Sequence, residues 1–145
     1  MSGEIIERML VRRDLDVVAK VATDPLTILP IIGGFGRFDP LDVDAAGCGL
    51  WDVFINLGTN QVGGRVEVVR LGERHLQWSS VRGTHHSMDI RVEPDADGAV
   101  VEFHLQSRLA GGLTGRISQF VSKGIVSRHL VAGLDQLRHY IEHEM

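Results

Sequence analysis

The spacing of hydrophobic residues along the chain changes twice, and the changes separate three regions. Residues 5–13 alternate between apolar and polar positions, which predicts a first strand. The following apolar residues recur at helical spacing. Asp14 is placed to cap one short helix, and Asp24 with Pro25 to begin a second that ends at Gly33-Gly34. The first region is therefore expected to be one strand followed by two short helices.

From residue 36 to residue 110 the hydrophobic period is two, as in strands that expose one face to water. Short segments rich in glycine or aspartate interrupt the alternation and predict turns. Consecutive strands joined by short turns form an antiparallel meander. Strands are expected near 36–43, 49–58, 64–71, 75–82, 86–93 and 99–109.

The third region, 114–142, is predicted to be one nearly continuous helix, because its apolar residues recur at steps of three and four. Such a helix is roughly 45 Å long, and only a sheet is large enough to cover its broad apolar face. The predicted fold class is α+β. No repeat or low-complexity linker interrupts the chain, so residues 1–145 are expected to form a single domain.

Strand register can be tested by asking which pairing keeps each face of the sheet uniform. A turn over 95–98 places Ile90 opposite Phe103 and His86 opposite Ser107, with all four on the apolar face. A turn over 72–74 likewise places Val68 opposite Trp78 and Val66 opposite Ser80.

The hairpin that contains "VRGTHHSM", residues 81–88, allows two turns. A two-residue turn at 83–84 pairs Trp78 with Asp89 and mixes the faces. A three-residue turn pairs Trp78 with Ile90 and keeps them uniform, and a bulge achieves the same result.

The three-residue turn has a direct consequence for the polar residues of this hairpin. It pairs Arg82 with His86, points both side chains inward, and leaves His85 in the turn near solvent.

Four segments carry a resemblance to a known family: "DLDVVAKVATDP", "LQWSSVRG", "VEPDADGAVVEFHL" and "LAGGLTGRISQFVSKGIVSRHLVAGLDQLRHYIE". In this order they resemble the helix-grip fold of the START/SRPBCC (birch-pollen-allergen-like) superfamily, in its bacterial polyketide cyclase/dehydrase-type branch. The resemblance implies a curved sheet of about seven strands around a long C-terminal helix, with a cavity between them. The resemblance does not imply one reaction, because members of the superfamily include lipid carriers, quinone-binding proteins, aromatase/cyclases and chaperone activators. The aromatic residue common in the first helix is absent here, where residues 18–21 read Val-Ala-Lys-Val.

Composition excludes several classes of protein. The formal net charge is −4 and no long basic run is present, which argues against nucleic acid as a partner. Cys48 is the single cysteine, so neither an intrachain disulfide nor a multi-cysteine zinc site can form. No apolar run reaches the roughly 20 residues of a membrane span, and the N-terminus has no apolar signal core. A cytoplasmic protein is expected.

The histidines are the residues to weigh as metal ligands. Adjacent His85 and His86 point to opposite faces of a strand and chelate poorly, and no HExxH motif is present. His139 and His143 lie one helical turn apart and could hold a metal, but histidines at a helix C-terminus also suit the helix dipole. The sequence therefore favours neither a metal site nor a cofactor.

The candidate site is the set of residues expected to face the cavity. Its inward polar groups either satisfy one another, with Glu7 as partner of Arg82, or contact a ligand. Gly124, inside the long helix, indicates either close packing or room for that ligand. The candidate ligand-binding residues are Trp51, Trp78, Ser80, Arg82, His86, Met88, Phe103, Ser107, Phe120 and Gly124.

Three functions are compatible with this site. The favoured one is binding of a hydrophobic small molecule, such as an aromatic polyketide, a lipid or a quinone. The second is a cyclase or dehydratase in which Arg82 stabilises developing charge and His86 transfers a proton. The third is a protein-interaction module that uses the sheet edge or the long helix. The oligomeric state, monomer or homodimer, stays open.

Overall fold

The computed structural model describes residues 2–32, 36–57, 60–83, 85–108 and 113–144. The first elements are β1 (Ser2–Val11), α1 (Leu15–Ala22) and α2 (Pro25–Ile32). The predicted cap of α2 is confirmed, since the Asp24 carboxylate accepts the Leu26 N–H at 3.2 Å and the Thr27 hydroxyl at 2.8 Å. Asp14 precedes α1 as predicted but makes no side-chain capping bond. The predicted end at Gly33-Gly34 lies outside the described residues.

The described strands form one antiparallel sheet in the order β1-β7-β6-β5-β4-β3-β2. The predicted meander is confirmed, and β1 pairs with β7 to form one edge of the sheet. The remaining strands are β2 (Gly36–Val43), β3 (Gly49–Leu57), β4 (Asn60–Gly72), β5 (His75–Gly83), β6 (His85–Asp95) and β7 (Gly98–Arg108).

Two of the three predicted hairpin registers are confirmed. Ile90 lies opposite Phe103 in β6 and β7, and Val68 lies opposite Trp78 in β4 and β5. The third register is wrong: Trp78 pairs with Met88, two residues away from the predicted Ile90. A shift of two residues preserves the alternation, so the predicted faces of these strands survive the error.

The long helix α3 (Leu113–His139) runs without a break through Gly124, and a π-helical turn, Tyr140–Glu144, continues it. The predicted continuous helix is confirmed. It packs mainly on β1 and α2, with lesser contacts to β3 and β7.

Between this helix and the sheet lies a core made of valine, leucine, isoleucine and aromatic side chains, including Val11, Val66, Val68, Ile90 and Leu134. Within the described residues, no helix is both long enough and apolar enough to span a membrane.

Candidate functional site

Two tryptophans lie on the inner face of the sheet, and they differ in the hydrogen bonding of their indole N–H groups. Trp51 and Trp78 are each 2% exposed. The indole N–H of Trp51 donates to the carbonyl oxygen of Gly47 at 2.8 Å. The indole N–H of Trp78 is buried and has no hydrogen-bond partner among the described residues. Because buried polar groups are nearly always paired, the Trp78 nitrogen is the most informative atom on this face.

The curvature of the sheet brings a second aromatic ring to Trp78. Phe38, on β2, meets the indole edge to face with ring centroids 6.2 Å apart and planes at 75°. Strands β2 and β5 are separated by β3 and β4, a distance of about 14 Å in a flat sheet. The inner side chains therefore converge across a curved sheet, as the helix-grip resemblance implies.

A polar group lies two residues beyond Trp78 on the same strand. The Ser80 hydroxyl accepts the backbone N–H of His86 at 3.0 Å and lies 3.1 Å from Nδ1 of His85. His86 is half-buried and shares the face of Met88, whereas His85 is exposed. The inward side of His86 agrees with its predicted pairing opposite Ser107, which is confirmed. His85 is exposed as predicted, but it lies in β6 opposite Arg108 and not in the turn.

The predicted inward orientation of Arg82 is wrong. Val66 pairs with Ser80 but Arg65 pairs with Arg82, so β5 contains an extra residue, Val81. This bulge reverses the alternation and places Arg82 beside Arg65 on the outer face, where it is exposed. Gly64 permits the close approach at the bulge: its φ is 151°, and a Cβ there would lie 2.1 Å from the Arg82 carbonyl oxygen.

The suggested pairing of Glu7 with Arg82 is also wrong, because the two residues lie on opposite faces. Glu7 lies opposite Phe103 and faces inward. Its carboxylate accepts the hydroxyl of Ser127, on α3, at 2.6 Å. Ser127 was not predicted from the sequence. The signal that points to it is a small polar residue next to Val126, which packs against the core. This pair gives the inner face a second polar group.

The other candidate residues have mixed outcomes. Met88 and Phe103 are buried, at 3% and 1% exposed. The side chains of Ser107 and Phe120 lie outside the described part of the molecule. Gly124 is exposed, and a Cβ added there would meet no atom of the described residues within 4 Å. Close packing against the described part of the chain therefore does not explain this glycine, and its role in making room for a ligand stays a prediction.

The outer face carries polar residues that are paired with one another. Asp89 is 5% exposed, and its Oδ1 lies 2.6 Å from His75 Nε2, 2.9 Å from Gln77 Nε2 and 3.7 Å from Arg91 Nη2. Glu102 bonds Arg8 at 2.8 Å on the same face. Every buried acceptor in this network has a donor, so it is explained by structure alone.

The described residues contain neither an activated thiol nor a cluster of three or more metal ligands. Burial, followed by the charge of Asp44, raises the pKa of the Cys48 thiol, which disfavours the nucleophilic thiolate. Among these residues no three histidine, cysteine, aspartate or glutamate side chains come together as metal ligands.

This architecture is shared with solved structures that cover nearly all of the chain. TTHA0849 from Thermus thermophilus superposes with a TM-score of 0.78 at 12% identity, over 96% of this chain and 97% of that one. The Zhui aromatase/cyclase from Streptomyces sp. R1128 superposes with a TM-score of 0.71 at 16% identity, over 98% and 94%. The chain has the helix-grip fold. Norcoclaurine synthase from Thalictrum flavum, solved with a transition-state analogue, gives 0.70 at 14% identity, over 100% and 98%.

No family model and no curated protein matches the sequence. Helix-grip geometry in this chain is therefore carried by residue pattern rather than by residue identity, and these similarities establish the fold alone.

Proposed function

We propose that residues 1–145 form one ligand-binding domain that holds a hydrophobic small molecule between the inner face of the sheet and α3. The class of ligand is an aromatic polyketide, a lipid or a quinone-like molecule. The observation that carries the proposal is the indole N–H of Trp78, which is buried and has no partner in the described part of the chain.

An unpaired buried donor costs about 1–3 kcal/mol relative to a paired one. A ligand with a carbonyl or phenolic oxygen beside Trp78 recovers that cost by accepting the N–H, while its rings pack among Phe38, Met88 and Phe103. The first contact supplies orientation and the others supply apolar surface, the combination typical of small-molecule sites. Trp51, whose N–H already bonds Gly47, is left as a wall residue.

The names of the structural neighbours support this class of ligand without fixing it. One is an aromatase/cyclase, and another is a synthase bound to a transition-state analogue. Because fold alone does not determine function, the argument for this chain depends on Trp78.

The test compares two probes of nearly equal size, the aromatic ketone 1-tetralone and the hydrocarbon tetralin. Equilibrium dialysis gives the affinity of each for the wild type and for Trp78→Phe, which keeps an aromatic ring but removes the donor. We expect the wild type to prefer the ketone, and Trp78→Phe to lose about tenfold in ketone affinity with little change for tetralin.

Met88→Leu is the matched control, since it changes shape on the same face without altering a polar group. It should affect both probes alike. The binding proposal would be refuted if neither 1-tetralone nor tetralin bound the folded wild type. Equal loss of both probes in Trp78→Phe would refute the hydrogen bond but not binding on the inner face of the sheet.

The inward, half-buried position of His86 favours one alternative, a cyclase or dehydratase in which this imidazole transfers a proton. Arg82, on the outer face, has no part in it. His86→Leu should then abolish turnover of an aromatic β-polyketone while retaining most of its affinity, because a proton-transfer group acts in the transition state. Unchanged turnover in a folded His86→Leu variant would remove this alternative. A cytoplasmic location stays a prediction, to be checked by fractionation.

A further inference from the structure

A cleft at the C-terminal end of α3 brings two histidines together. It has a volume of about 430 Å³ and lies between the last turns of the helix and Ile31 of α2. His139 and His143 both line it, with ring centroids 5.0 Å apart and planes tilted by 43°. None of the described residues that line it belongs to the sheet, so the cleft is separate from the ligand site proposed above.

The separation of the two rings fits a shared metal ion. A transition metal bound about 2.0–2.1 Å from an imidazole nitrogen lies roughly 3.2 Å from the ring centroid. When two imidazole nitrogens bind one ion with a nitrogen–metal–nitrogen angle of about 90–110°, the two ring centroids lie about 4.5–5.2 Å apart. The observed 5.0 Å falls inside this interval, and the tilt of 43° shows that the two rings are not stacked in parallel.

The second histidine is held in place by bonds that reach across the molecule. A helix end normally frays, but here the guanidinium of Arg13 donates to the carbonyl oxygen of Ile141 at 2.9 Å. The backbone N–H of Arg12 donates to the carboxylate of Glu142, also at 2.9 Å. Ile141 itself is fully buried. The π-helical turn that carries His143 is therefore anchored, and the pair is positioned before any ion arrives.

The charges around the pair do not oppose a cation. The Arg138 guanidinium bonds the carboxylate of Asp135, which lies one turn before His139 on the same face. Glu144 adds a second carboxylate to the cleft, and α2 contributes only the apolar Ile31. Interaction with the helix dipole accounts for basic residues at this end, but it does not account for two imidazoles that line one cleft with centroids 5.0 Å apart.

We propose that His139 and His143 chelate a divalent first-row transition metal ion of the kind that prefers imidazole nitrogen, such as Zn²⁺ or Ni²⁺. The remaining coordination positions are open to water or to a cleft carboxylate. This inference departs from the expectation, drawn from sequence, that the chain has no metal site.

Isothermal titration calorimetry of the full chain with ZnCl₂ and NiCl₂ tests the proposal. MgCl₂ is the control, because Mg²⁺ prefers oxygen ligands. We expect a saturable site for Zn²⁺ and Ni²⁺ and none for Mg²⁺. His139→Ala and His143→Ala should each weaken binding by about tenfold or more, because the second imidazole no longer acts at a high effective concentration.

Two control variants separate this site from others. Gln136→Ala alters the same cleft without touching a metal ligand, and His85→Ala removes one member of the adjacent pair His85–His86; both should bind as the wild type does. The thermal midpoint without metal checks folding, and metal should raise it only where both cleft histidines remain. The proposal is overturned by absent saturation, by unchanged binding in His139→Ala, by loss in His85→Ala, or by equally tight Mg²⁺.

Discussion

Trp51 and Trp78 are buried to the same extent on the same face of one sheet, yet they are different kinds of residue. Trp51 completes its hydrogen bonding within the fold through Gly47, whereas Trp78 finds no partner among the described residues. The comparison shows that burial alone does not distinguish a core residue from a binding residue. Accounting for each polar atom helps to separate them, because a buried donor without a partner needs an explanation and an acceptor on a ligand is one such explanation.

The outer face extends the comparison. Asp89 is nearly as buried as either tryptophan, but three neighbouring side chains surround its carboxylate. By the same accounting, Asp89 belongs with Trp51 as a structural residue. The following substitutions test that division.

Trp51→Phe should have the largest effect, a loss of about 3 kcal/mol in the free energy of unfolding. It leaves a cavity and removes the partner of the Gly47 carbonyl, and both losses destabilise. Urea denaturation of the wild type and the variant measures the difference. A loss below that of Trp78→Phe would reverse the assignment of the two tryptophans.

Asp89→Asn should cost about 2 kcal/mol, because a neutral amide weakens the hydrogen bonds from His75 and Gln77 and loses the ion pair with Arg91. Thermal unfolding at neutral pH measures it. Ligand probes should bind the folded variant unchanged, since the network lies on the face away from Trp78. Altered probe affinity would connect the two faces and contradict the division.

Trp78→Phe should cost about 1 kcal/mol, less than Trp51→Phe, because a cavity forms but no hydrogen bond is lost. The same urea titration measures it. Addition of 1-tetralone sharpens the comparison: the ketone should stabilise the wild type more than this variant. Equal stabilisation of both proteins would argue against a ligand contact at the indole.

Arg82→Met should have the smallest effect, at most about 0.5 kcal/mol, since the side chain is exposed on the outer face. Dialysis with 1-tetralone should show less than a twofold change in affinity. A tenfold loss would mean that Arg82 reaches the ligand and that the bulge at Val81 does not hold in solution.

Much of this molecule follows from periodicity in the sequence. Alternation from residue 36 to residue 108 determines which side chains share a face, and it does so even where the exact pairing is wrong, because a two-residue slip leaves every face unchanged. Apolar steps of three and four determine that α3 is one helix and that it must cover the sheet. The inward position of His86 is of this kind.

Other features of the molecule depend on single residues and on contacts between distant segments, which only the folded chain reveals. One extra residue, Val81, moved Arg82 to the other face, and no periodicity reveals a bulge before the neighbouring strand is known. Glu7 found Ser127 across the core rather than an arginine. Trp51 and Trp78 look alike in sequence; a loop carbonyl reaches one indole and not the other. A repeating pattern constrains an average direction, whereas a hydrogen bond depends on where two particular atoms lie in the folded chain.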